Sequence, residues 1–181
     1  MPYKYFGLLA VAMLVCGLGF IIWRWPQGKH HTFSYHVATD KYKMVYYVVL
    51  FALTAPVLLG FFFGWFIPAF HLPPAFGVCL IISIAAQQAC TLIPEVGGWK
   101  TICHGMLAGL AGGLLLPLLF MLLSSGYVSL LGKFLTAFCL FTMLGVIGAT
   151  IAFRGRHYAL ILQSVYYTAF FVPVLGISYV L

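Results

Sequence analysis

Hydrophobic residues in this chain do not alternate with polar ones at the strand period, nor do they mark one stripe of a helix. They run almost unbroken for about twenty residues at a time. Six such runs extend from Tyr5 to Trp23, Met44 to Phe66, Pro74 to Ile93, Thr101 to Leu123, Tyr127 to Phe153 and Tyr158 to Leu181. At the α-helical rise each is long enough to cross a hydrocarbon core of ~30 Å. A helix that is apolar on every side has no polar face to turn to water, so the solvent it implies is lipid. The pattern predicts an all-α polytopic bundle of six transmembrane helices, filling residues 1–181 as a single domain. Only Arg24 to Lys43 forms a connection of any length, and no Ser/Gly linker or low-complexity segment interrupts the runs.

Composition agrees. The chain is 64% hydrophobic and 6% charged, with a mean hydropathy of +1.11; a soluble domain carries roughly 25% charged residues. The net charge of +7 would suit a polyanion if it were gathered on one face, but the basic residues stand singly at segment ends. That excludes a phosphate-binding surface and makes the lipid bilayer, not nucleic acid, the expected partner. The first, third and fifth connections hold Arg24, Lys29, Lys41, Lys43, Lys100, Arg154 and Arg156, against Lys4 and Lys133 on the other side. By the positive-inside rule those three connections face the cytoplasm and both termini lie outside, in a multi-pass cell-membrane protein. The first run ends in Trp23-Arg24-Trp25 without a small-x-small cleavage site, and reads as a retained helix. The five cysteines form no CxxC pair and read as small apolar residues.

Small residues and prolines suggest how the helices meet. Gly105, Gly109 and Gly113 form a stripe on the fourth helix, with Ala108 and Gly112 beside it; Gly60 with Gly64 and Gly145 with Ala149 repeat the spacing. Such stripes let backbones approach, so the fourth helix is expected to be the central one, and a second copy of the chain could dock along the same stripe. Pro56, Pro117 and Pro173 fall inside the even-numbered helices, with Tyr46-Tyr47 and Tyr166-Tyr167 ahead of the first and last, a pattern suggestive of a repeated hairpin.

Polar side chains inside such helices need partners, and each is a candidate for chemistry. Gln87 and Gln88 close the third helix, and Gln163 and Ser164 open the sixth at a similar depth. Interhelical hydrogen bonding accounts for them, as does lining a polar cavity; adjacent residues point about 100° apart, so both glutamines are not expected to face one groove fully. Glu95, one of only two acids in the chain, and His104 bracket the turn before the fourth helix. They could form a proton relay or acid–base pair, or His104 could simply secure the turn while Glu95 meets Lys100.

Within Ser34-Tyr35-His36-Val37-Ala38-Thr39-Asp40, an early start to the second helix would set His36 and Asp40 at i and i+4. A Ser followed by His and then Asp also resembles part of the motif of membrane-embedded zinc amide hydrolases such as the alkaline ceramidases and progestin-receptor-type proteins. Those families carry a late His-x-x-x-His pair, whereas here His157 stands alone. A zinc site would need His36, Asp40, His104 and His157 to converge; catalysis without that set would fall to His36, Asp40, Glu95 and His104. No lysine lies deep enough for a retinal Schiff base, and His104 with His157 is the one pair that could face across a haem.

The third helix ending in Ile93-Pro94-Glu95, the glycine turn and the fourth helix opening with His104-Gly105, over Pro94 to Ala108, resemble a bacterial six-helix integral membrane family of unknown function. That family is distantly similar to the autophagy-modulator-type six-helix membrane proteins, and the resemblance implies fold class only. The leading functional reading is non-enzymatic and without cofactor: binding or moving a small or lipidic ligand in an intramembrane groove between the third, fourth and sixth helices. Gln87, Gln88, His104, Gln163 and Ser164 would line it. The alternatives are a zinc-dependent lipid or amide hydrolase and a non-catalytic accessory subunit.

Overall fold

The structure, a computed structural model, describes residues 2–27, 31–152 and 158–180. Six helices are long and apolar enough to cross a membrane: α1 Tyr3–Arg24, α3 Lys41–Ala69, α4 Pro74–Leu92, α5 Gly98–Ser124, α6 Leu130–Ala152 and α7 Ala159–Tyr179. A short helix, α2 Phe33–Val37, lies between the first two. No strand occurs among the described residues. The chain is a multi-pass membrane protein. Arg24, Lys41, Lys43 and Lys100 gather at one end of the bundle, the basic end; Lys4 sits at the other, over the rings of Trp65 and Tyr179 at 5.1 and 5.3 Å.

Two N-caps define the segment ahead of α3. The Thr32 side chain accepts the Tyr35 N–H, starting α2, and the Asp40 carboxylate accepts the Tyr42 N–H at 2.8 Å, starting α3. Each satisfies a donor that the first helical turn leaves unpaired. His36 and Asp40 therefore do not share a helix face: Asp40 is extended, with φ −142° and ψ 130°, and its carboxylate is held by its own helix.

Neighbouring helices pair as hairpins, α1 with α3, α4 with α5 and α6 with α7. The close approaches within them fall at glycines. A Cβ on Gly7 would lie 2.7 Å from Phe61, one on Gly17 2.4 Å from Leu50, one on Gly64 2.7 Å from Tyr3 and one on Gly176 2.9 Å from Leu135. The stripe Gly105, Gly109 and Gly113 behaves differently. All three are exposed, and a Cβ on any of them meets no atom of the described residues within 4 Å. The same holds for Gly145. The fourth transmembrane helix is thus not the central one; α4 is the most buried of the six. The cause is the opposite face of α5, where His104, Ala111, Leu115, Leu118, Leu119 and Leu122 are all buried. That wide wall of large side chains gains more contact than three glycines would, and it turns the stripe outward.

Prolines set where the helices break and what repairs them. Pro117 has no N–H for the Gly113 carbonyl one turn earlier, and α5 is interrupted at Leu114. The neighbouring carbonyls of Ala111 and Gly112 accept from Ser83 Oγ at 2.7 Å and Tyr166 Oη at 2.8 Å. Ahead of Pro56 in α3, the Phe51 carbonyl accepts from Gln88 Nε2 at 2.8 Å. Polar side chains of α4 and α7 thus bond carbonyls at the irregular turns, as backbone within hydrocarbon requires. Beyond Pro56 a π-helical turn, Phe62–Phe66, brings Phe61, Phe62 and Phe66 into an aromatic core with Phe76.

Candidate functional site

Two features meet beneath the basic end of the bundle. One is a polar cluster beneath α2; the other is a cavity of about 470 Å³ among α1, α3, α4, α5 and α7.

The cluster is built on Glu95, in the turn between α4 and α5. Its Oε2 accepts from Thr32 Oγ1 at 2.5 Å and from Ser34 Oγ at 2.8 Å, tying α2 to a turn more than sixty residues away in sequence. Bonds to an ionised acceptor contribute ~1.5–3 kcal/mol each. Gly97, at φ +93°, and Gly98, at φ +59°, let the chain reverse here in the left-handed region that other residues avoid. His104 then turns inward, buried, and its Nδ1 donates to the Ile93 carbonyl at 2.7 Å. That bond leaves Nε2 facing Cys90 Sγ at 3.3 Å and Glu95 Oε2 at 4.0 Å. Glu95 is therefore engaged with α2 and His104, and its expected partner Lys100 is exposed.

Further bonds lie between α2 and the cavity. The Phe33 N–H donates to Gln163 Oε1 at 3.2 Å. One turn on in α7, Tyr167 Oη donates to Gln87 Oε1 at 3.2 Å. The Phe33 side chain forms part of the cavity's end wall.

The cavity itself is apolar, walled by residues such as Leu14, Leu18, Leu58 and Phe171. Its polar points are few: Thr54, Ser83, Gln87, Gln88, Ser164 and Tyr167, with Thr168 on the rim. The helical rise puts Gln88 about 6 Å and Ser83 about 14 Å below the end of α4, so these groups lie at hydrocarbon depth. Val15, Gly19, Thr168 and Val172 line the cavity and are exposed, which places its mouth between α1 and α7, where those helices touch only sparsely.

The residues singled out by sequence thus divide. Gln87, Gln88 and Ser164 line the cavity, whereas Gln163 and His104 belong to the polar cluster behind it. Both glutamines reach one cavity despite their angular separation because it spans the gap between α3 and α7: Gln88 reaches toward α3 and Gln87 toward α7. His36, buried, donates from Nδ1 to the Thr32 carbonyl at 2.8 Å. Among the described residues no three His, Cys, Asp or Glu side chains are grouped to hold a metal ion, so His36, Asp40 and His104 do not make a zinc site together. His157, with Lys29, Arg154 and Arg156 of the charge count, lies outside the described residues.

Sequence reasoning did not single out Thr32, Tyr47, Thr54, Ser83 or Tyr167. A signal for two of them was present, since Tyr47 and Tyr167 belong to the tyrosine pairs that precede Pro56 and Pro173; Tyr47 is buried and Tyr167 bonds Gln87. No family model, curated protein or solved structure matches this chain.

Proposed function

We propose that the protein binds a lipidic molecule in the cavity between α1, α3, α4, α5 and α7, with its basic end toward the cytoplasm. The observation that carries this reading is the cavity's construction. Ligand pockets are concave, roughly 300–1,000 Å³, mostly apolar and furnished with a few fixed polar groups. A cavity of about 470 Å³ with glutamine and hydroxyl groups at hydrocarbon depth has that character. Its mouth opens sideways between α1 and α7, so a molecule dissolved in the bilayer reaches it without crossing water. The polar cluster supports the reading by closing the other end: α2 is tied to Glu95 and Gln163, and Phe33 completes the wall.

Gly19 supplies the test. It lines the cavity, and a Cβ there meets nothing within 4 Å. Gly19→Trp therefore sets an indole at the mouth from a backbone position that has room for its Cβ. The expected result is that lipid co-purifying with the parent, detected by native mass spectrometry, is lost from Gly19→Trp while thermal stability is unchanged. Lipid retained at parental level by that variant would refute the proposal.

A further inference from the structure

The polar points of the cavity also select among lipids, and this step rests on reading the cavity as a ligand site. We propose that it takes a neutral amphiphile whose head group donates hydrogen bonds, such as a long-chain alcohol or monoacylglycerol, in preference to an ionised fatty acid or an ester without a donor.

The first observation is charge. Among the described residues, none that lines the cavity is Asp, Glu, Lys, Arg or His. Glu95, the acid of the neighbouring cluster, is held by Thr32 and Ser34 under α2 and does not line the cavity. A carboxylate or ammonium drawn to the depth of Gln88 would stand unpaired, and an unpaired buried charge costs far more than a hydrogen-bonded neutral group.

The second observation is the direction of the hydrogen bonds. Behind the mouth, each lining hydroxyl has already committed its one proton. Thr54 Oγ1 donates to the Leu50 carbonyl at 2.7 Å, Ser83 Oγ to Ala111 at 2.7 Å, Ser164 Oγ to Leu160 at 2.8 Å, and Tyr167 Oη to Gln87. A hydroxyl that donates keeps lone pairs able to accept. Gln88 likewise has an amide proton on the Phe51 carbonyl, and its Oε1 is an acceptor. The lining hydroxyls of Thr54, Ser83 and Ser164 consequently offer acceptor oxygens, while the Gln87 amide and the second N–H of Gln88 add donors. A hydroxyl head brings the proton those oxygens lack. An ester head brings only acceptors, so it can use the glutamine N–H groups but leaves the hydroxyl oxygens without a donor.

Three diazirine-bearing probes of identical chain, an alcohol, its methyl ester and the corresponding acid, distinguish these heads. The parent protein in phosphatidylcholine nanodiscs is irradiated with each probe at alkaline pH, where the acid is ionised, and labelled peptides are mapped. The expected result is labelling of the cavity-lining peptides of α1 and α7 by the alcohol about tenfold above the ester and the acid, the factor that one to two net hydrogen bonds supply. Thr54→Val, and separately Ser83→Ala, should lower alcohol labelling toward the ester's level. Ester labelling should stay constant, which shows that the cavity survives each change. Equal labelling by all three probes, lost together in Gly19→Trp, would overturn the donor preference and leave the lipid site standing. Cavity labelling by none of the probes, or labelling indifferent to Gly19→Trp, would overturn both.

Discussion

The two ends of the bundle are held by different forces. At the basic end a small apolar cluster of Ile21, Phe33, Val37 and Tyr47 is joined by a handful of directional bonds: Thr32 and Ser34 on Glu95, Phe33 on Gln163, His104 on the Ile93 carbonyl. At the opposite end there is one aromatic and aliphatic core in which Phe61, Phe62, Phe66, Phe76, Leu118 and Leu122 are essentially inaccessible. Phe62 and Phe66 meet edge to face at 5.4 Å between ring centres. The cavity lies between these regimes and takes wall residues from both, Phe62 and Leu80 from one and Gln87 and Phe33 from the other. Packing contacts are many and individually weak, so the far end resists change as a body. The basic end has a smaller apolar cluster and leans more on single bonds, each of which one substitution can remove. An assembly of this kind keeps one end of its cavity rigid and makes the other sensitive to one carboxylate.

That contrast can be broken from either side. The largest effect is expected at the aromatic core, where Phe66→Ala removes a ring with no exposed surface and should cost ~3–5 kcal/mol in reversible unfolding in detergent, with cooperative loss of the whole bundle. Glu95→Ala should cost ~2–3 kcal/mol and act locally. Hydrogen exchange is expected to rise in α2 and at Ile93 while the peptides of Phe61–Phe66 stay protected. Uniform exchange across both ends would show that they are not independent. Next comes a pair of glycines on the two kinds of surface. Gly17→Leu must displace Leu50 and should cost ~1–3 kcal/mol, whereas Gly109→Leu faces open space and should stay within ~0.5 kcal/mol of the parent. Equal destabilisation by both would place a neighbour on the α5 stripe that the isolated chain lacks. Among the destabilising changes the smallest loss is expected from Asp40→Ala, which removes only the cap of α3 and should cost ~1 kcal/mol, read as a small drop in melting temperature.

The glycines also show where reading by spacing fails. Gly60 and Gly64, four apart, do meet α1, through Phe6 and Tyr3. Gly105, Gly109 and Gly113 have the same spacing and meet nothing, while Gly7 and Gly17, ten apart, make the tightest contacts of α1. A four-residue spacing shows that small residues share a face. It does not show that the face is chosen, because the bulk on the opposite side of the helix competes for the interior.

What the sequence determined by itself was everything set by solvent: six spans, their order, short connections and the bias of basic residues to one end. Those follow from the cost of placing polar backbone and charge in hydrocarbon, which depends on length and composition and hardly on partners. It also fixed that Gln87, Gln88, Glu95 and His104 needed partners, since each lies in or beside an apolar run. Only the tertiary structure decided who the partners are. Glu95 bonds hydroxyls from the first connection instead of Lys100, and Gln88 bonds a carbonyl near Pro56 instead of an opening residue of α7. Asp40 became a helix cap, away from any shared face with His36. In a uniformly apolar helix the pattern carries almost no rotational information, because lipid and protein interior are equally oily. Which side faces inward is settled by volume and by a few hydrogen bonds reaching across from other helices, and no single segment contains that information.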